Sequence, residues 1–309
     1  MSYGVVITQV GILFALIAVG YIAGITKVVK TSASADLTNL LMKIALPATI
    51  FASLARTYDT TLLKDGLLCF VIGMGFFMLA MGVSLVAAKI MKVPDGKKGI
   101  WTIASSFSNT GFVGFPVASA LFGADGLFMA SLFNLSFNIL VFSFGVVLAS
   151  KDSEIKGEIS LKKILVSNIN IAMFIGLIFF VTQIAVPGPI MTLVNYFGAL
   201  TTPLSMFIIG LNLTTGKPRE LFTDKDAISA SFMRLILMPL LAFVIMSILP
   251  FREGSIVPGL VTAIIAMPAP SICMIFAQQY KCDIDFAGKV IFLSSLACLV
   301  TIPLILLLV

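Results

Sequence analysis

Residues 108–116 read SNTGFVGFP, and they interrupt a long apolar run. Just upstream stand Ser105 and Ser106, so Ser105, Ser106, Ser108, Asn109 and Thr110 are followed by Gly111, Gly114 and Pro116. A plain lipid-facing helix has no use for such a stretch. Pro116 removes one backbone donor and clashes with the carbonyl four residues back. Gly111 and Gly114 lower the cost of leaving helical geometry. Hydrocarbon offers no partner to the freed groups, so irregular backbone at this depth faces protein or a wet cavity. The plainer alternative is a proline kink in a packed helix. A second interruption, AMPAPS at 266–271, brings Pro268, Pro270 and Ser271 into another apolar run.

The rest of the chain sets the context. Of 309 residues 59% are hydrophobic and 11% charged, against about 25% charged in soluble domains. Such a chain cannot cover a water-facing surface, so a single membrane domain is expected. A helix needs about 20 mostly apolar residues to cross the hydrocarbon. On that scale ten spans are predicted, at 4–25, 35–55, 66–89, 99–122, 127–149, 164–186, 190–213, 227–250, 256–279 and 286–308. No Lys or Arg precedes Lys27, so the first run reads as a retained helix and not as a signal peptide.

The net charge of +6 belongs to the loops, not to a nucleic-acid surface. Fifteen Lys and Arg residues, from Lys27 and Lys30 through Lys156, Lys162, Lys163, Lys217 and Arg219 to Lys281 and Lys289, fall on one side; only Arg56, Lys64 and Arg252 fall on the other. The rich side is expected to be cytoplasmic, which puts both termini outside. Lys43 and Arg234 are left inside spans. Each lies six or seven residues from the cytoplasmic end, so each either snorkels to the interface or serves as a salt bridge or a step in an anion pathway.

Two features repeat at nearly one spacing. Pro47 in LMKIALPATIFASLA and Pro203 in FGALTTPLSMFIIGLNL are 156 residues apart, while Pro268 and Pro270 follow Pro116 by 152 and 154. A five-span unit used twice is implied, with halves 1–150 and 151–309. Five is odd, so the halves have opposite topology. Inverted repeats with matching broken helices point to a secondary transporter.

A new half-helix is expected to begin near Pro116 and another near Pro270, since proline is tolerated at a first helical position. Each such N-terminus carries partial positive charge and unpaired N–H groups, which attract an anion. Asn134 and Asn138 share a face of the fifth span, and Ser294 and Ser295 lie in the tenth. Each Asn serves either the ligand or a hydrogen bond between helices. Every Asp and Glu lies in a loop or at a span edge. A coupled cation, H+ or Na+, would therefore rely on backbone carbonyls and on Asn or Ser oxygens.

SNTGFVGFP followed by LFG, LLMKIALPATIF, and AMPAPSICMIFAQQY followed by Asp283 resemble the auxin efflux carrier family, in its short prokaryotic branch of malate or malonate permease-like proteins. The resemblance spans nearly the whole chain. It implies a fold similar to the bile acid:sodium symporters, with spans four and nine crossing at the substrate site. It implies a scaffold of spans 1, 2, 6 and 7, a transport domain of spans 3–5 and 8–10, an elevator-like movement, and dimers formed through the scaffold. By motif match it places Asn109, Pro116 and Pro270 at the site.

The expectation is an all-α carrier of a small organic anion, such as a carboxylate, in a prokaryotic plasma membrane. A channel or a non-transporting receptor is the alternative. An intramembrane enzyme would need a nucleophile with a base or a metal cluster, and the chain has no histidine and no mid-span carboxylate. Cys69, Cys273, Cys282 and Cys298 are not at metal-ligand spacing, so no metal or other cofactor is expected. With no GxxxxGK[ST] run, ATP use is not expected either.

Overall fold

The structure is a computed structural model describing residues 3–151, 153, 155, 157, 166–214 and 223–308. It is nearly all helix, at 81%, with no strand among the described residues. The all-α membrane reading therefore holds. Seven helical stretches are long and apolar enough to cross a membrane: 8–25, 33–54, 60–90, 95–150, 188–212, 225–248 and 284–306. A shorter apolar helix runs over Asn168–Thr182. The stretch 95–150 has 56 residues, far beyond the roughly 20 that fill one bilayer. It turns at Gly123, whose φ of 64° and ψ of −152° are open to glycine and closed to other residues. The predicted fourth and fifth spans lie on either side of that turn. Lys156, Lys162, Lys163, Lys217 and Arg219 fall outside the described residues.

The helices are α1 (Tyr3–Ile25), α2 (Ala33–Leu40), α3 (Leu46–Leu54), α4 (Thr60–Ile90), α5 (Asp95–Ser106), α6 (Phe115–Leu140), α7 (Val146–Ser150), α8 (Asn168–Thr182), α9 (Gly188–Ala199), α10 (Thr201–Asn212), α11 (Lys225–Phe232), α12 (Met238–Ile248), α13 (Val257–Ile265), α14 (Ile272–Gln279) and α15 (Ile284–Leu306). Wider π-helical turns join several of them, at Leu41–Ala45, Thr110–Gly114, Val141–Gly145 and Met233–Leu237. Three of these turns end two residues before a proline: Pro47, Pro116 and Pro239. Proline has no N–H to return and crowds the carbonyl four back, and a wider turn relieves both problems.

The chain divides into two compact units. The first holds 1–68, 112–132 and 165–215; the second holds 69–111, 133–164 and 216–309. Hydrophobicity does not hold helices together in lipid, so close packing and interhelical hydrogen bonds must. In the first unit α1 meets α10 through glycines. A Cβ at Gly20 would run into the Phe207 carbonyl, and one at Gly210 into the Ile17 carbonyl. Similarly, α8 meets α3 where a Cβ at Gly176 would lie 2.7 Å from Leu54 Cβ and 3.4 Å from the Phe51 carbonyl. Gly20 and Gly176 are 156 residues apart, and so are Phe51 and Phe207. The same spacing separates Pro47 from Pro203. Thr49 Oγ1 lies 2.6 Å from Thr201 Oγ1 and donates to the Gly198 carbonyl at 2.9 Å, fastening α3 to the α9–α10 junction.

The second unit is built around aromatic packing. Phe77 lies 5.2 Å from Phe107 and 5.3 Å from Phe133 between ring centroids, with Phe137 against Phe107 at 5.7 Å. At one end Lys97 joins α5 to the start of α11, at 3.2 Å from Asp226 and 3.4 Å from Asp224. Lys289 of α15 pairs with Asp285 and lies 3.9 Å from Asp224. Trp101 Nε1 donates to the Asp226 carbonyl and to Ser229.

Candidate functional site

Both predicted breaks are present, and they meet within the second unit. Helix α5 ends at Ser106; Phe107 is extended, and helical winding resumes at Thr110. Helix α13 ends at Ile265, and α14 begins at Ile272. Between these ends the Asn109 N–H donates to the Pro268 carbonyl at 2.9 Å. Each break thereby satisfies a backbone group that a continuous helix would have paired internally.

Side chains from the following spans brace the crossing. Thr110 Oγ1 donates to Asn134 Oδ1 at 2.5 Å. Ser294 Oγ accepts from the Ala269 N–H at 3.1 Å. Asn109 and Ala269 are 160 residues apart, as are Asn134 and Ser294. The bracing side chains are thus 160 residues apart and the positions they brace, Thr110 and Ala269, 159 apart, although one brace uses an amide and the other a hydroxyl. Asn138, one turn beyond Asn134, is also buried. The Ser108 hydroxyl, fully buried inside the first break, has no hydrogen-bond partner among the described residues.

Two expectations change. Pro116 does not begin a half-helix; it is the second residue of α6, after the π-helical turn at Thr110–Gly114. The break lies before that turn, because the turn absorbs the missing donor. The correspondence with Pro268 and Pro270 at 152 and 154 therefore gives way to one near 160. The second change is Arg234. It does not snorkel, since its side chain is fully buried. Its Nη1 donates to the Ser106 carbonyl at 2.8 Å and approaches the Ser105 carbonyl at 3.5 Å. Its Nη2 donates to the Ile265 carbonyl. These are the last carbonyls of α5 and α13, left without partners by the helices' ends. Sequence spacing gave no sign of this, because Arg234 lies 128 residues from Ser106 and 31 from Ile265 in the chain.

The remaining predicted residues separate. Thr110, Pro268 and Pro270 are buried at the crossing, whereas Ser271 is exposed. Gly111 is partly buried; a Cβ there would only touch Asn134 Oδ1 at 4.0 Å, so no close approach demands glycine. Pro116 and Lys43 belong to the first unit, and Lys43 is exposed in the turn before Pro47. Among the described residues no cluster of His, Cys, Asp or Glu is arranged to hold a metal.

The model of a family described as membrane transport protein matches residues 5–306. The chain belongs to that family. It is the auxin efflux carrier-like family that the stretches 108–116 and 266–280 resemble. Among curated proteins the chain is 28% identical over 289 residues to an uncharacterized transporter of Methanothermobacter thermautotrophicus, covering 94% of this chain and 93% of the relative. It is 27% identical over 301 residues to an uncharacterized transporter of Methanocaldococcus jannaschii, covering 95% of each. In this membrane transport protein the crossing is thus a feature of a multi-pass membrane fold.

Proposed function

We propose that the protein is a secondary carrier of small organic anions bearing a carboxylate, which bind at the crossing of the two breaks. One electrostatic imbalance carries this reading. A helix end is equivalent to about half an elementary charge, negative at the C-terminus and positive at the N-terminus. The two C-terminal ends at the crossing, Ser106 and Ile265, are met by Arg234. The two N-terminal ends, near Thr110 and Ile272, are met by no acidic side chain: in the second unit the described Asp and Glu are residues 95, 224, 226, 253, 283 and 285, all at helix starts or in loops. An anionic ligand supplies the missing charge, and N–H groups at such ends suit a carboxylate. Asn109, Thr110, Asn134, Asn138 and the spare Ser108 hydroxyl are the polar groups at hand.

The wider architecture follows the same reading. Ten spans form two inverted five-helix repeats, supported by the recurrences at 156 and 160. The first unit, rich in spans one, two, six and seven, acts as scaffold and dimer surface; the second acts as the body that moves in an elevator-type cycle. Coupling to H+ or Na+ relies on backbone and amide oxygens. The protein sits in the cell membrane with both termini outside.

The test is uptake into proteoliposomes of malonate against malonamide at equal concentration. Saturable uptake of malonate alone is expected. Equal uptake of the amide would remove charge selection by the helix ends. Flux without saturation would indicate a channel, and binding without flux a receptor.

A further inference from the structure

We propose that Arg234 is the positioning residue of the crossing, setting the spacing of the two breaks by holding both preceding helix ends on one guanidinium. The inference rests on the carrier reading for its functional consequence, but its geometry stands alone.

Arg234 is a wholly buried cation, and no acidic side chain among the described residues pairs with its guanidinium. A buried charge persists only where something compensates it. Here two helix C-termini converge, each worth about half a negative charge, so together they balance one cation. The carbonyls belong to α5 and α13, and Nε has no hydrogen-bond partner among the described residues. The observed hydrogen bonding is therefore directed at the two ends. Ser105 and Ser106 stand 160 and 159 residues before Ile265, close to the spacing of the two braces, so Arg234 touches equivalent ends of the two broken helices at once.

The register of the site follows. Asn109 is three residues past Ser106, and Pro268 three past Ile265. The Asn109–Pro268 hydrogen bond is therefore the first link formed beyond the two carbonyls that Arg234 holds. Fixing those carbonyls fixes the distance between the breaks, and with it the separation of the N–H groups beyond. Arginine suits this task because its planar fork carries five donors at fixed angles. Lysine offers one compact ammonium, which cannot span two helix ends in the same way.

The experiment compares wild type, Arg234→Lys and Arg234→Gln as full-length protein in nanodiscs by hydrogen–deuterium exchange. Malonate uptake is measured in parallel. In Arg234→Gln, exchange is expected to rise at least tenfold at 107–111 and at 266–271 together, while α4 keeps its protection. Arg234→Lys folds and shows a smaller rise in both segments. Its half-saturating malonate concentration increases at least fivefold, with a smaller change in maximal rate. If Arg234→Gln does not accumulate, Arg234→Lys decides by the same two segments. Exchange rising at one segment only, or equally throughout the second unit, would overturn the proposal, as would an unchanged pattern in both variants. Absence of malonate uptake by wild type counts against the carrier reading and leaves the exchange result to decide the role of Arg234.

Discussion

The Thr110 hydroxyl donates to the side-chain oxygen of Asn134 at 2.5 Å, tying the resumed helix of the first break to the span that follows. Both residues are buried. Removing one partner strands the other, at a cost of about 1–3 kcal/mol, whereas removing both with apolar groups of similar shape is far milder. Thr110→Val and Asn134→Leu should each lower stability, and the double variant should lose less than the sum by about 1 kcal/mol. A double-mutant cycle of unfolding free energies in mixed micelles measures this. Simple additivity would show that the pair is not coupled.

Two glycine substitutions should differ in sign. Gly20→Ala forces a Cβ into the Phe207 backbone, and overpacking of this kind costs about 1–3 kcal/mol. Among the described residues nothing lies within 4 Å of a Cβ at Gly75 on α4. Gly75→Ala should therefore gain about 0.5–1 kcal/mol through helix propensity. Apparent melting temperatures in detergent report both; a stabilised Gly20→Ala would refute the close approach of α1 and α10.

Asn109→Ala should lower malonate transport about tenfold or more, a loss of about 1.4 kcal/mol in the transition state. The hydrogen bond to Pro268 uses the backbone of Asn109, so it survives the substitution and folded protein should remain in the membrane. Rates normalised to purified, correctly inserted protein are the readout. Wild-type flux would take the Asn109 carboxamide out of the site.

The charge bias of the loops predicts outside termini. A C-terminal fusion to a reporter active only in the periplasm should score, and one active only in the cytoplasm should not. The reverse pattern would invert the orientation or require an odd number of crossings.

The sequence carried much of this architecture openly. Low charge and long apolar runs announce a membrane protein, and SNTGFVGFP and AMPAPS announce breaks, because glycine, proline and clustered hydroxyls have a local backbone meaning. The exact seat of the first break was hidden. Pro116 looks like its boundary, yet the π-helical turn before it moves the opening to 107–109. Arg234 was harder still. A lone cation in a span has the same appearance whether it reaches for water or for two helix ends. Only the packing of α5, α13 and the Met233–Leu237 turn distinguishes these, and that packing joins residues more than a hundred positions apart. The Gly20–Phe207 and Gly176–Phe51 approaches were equally silent, since a glycine in an apolar run does not name its neighbour.

Those glycine approaches impose an order on assembly during synthesis. When Gly176 leaves the ribosome, Phe51 has long been in the membrane, so α8 can dock on α3 at once. Gly20 has the opposite history. Its partner Phe207 is made about 190 residues later, a delay of roughly 10–40 s at ordinary elongation rates of 5–20 residues per second. Throughout that interval the small-residue face of the first helix borders lipid or the insertion machinery. Helix α1 therefore finds its place long after it is made, and the face around Gly20 is where a stalled or truncated chain lacking α10 would be recognised as unfinished.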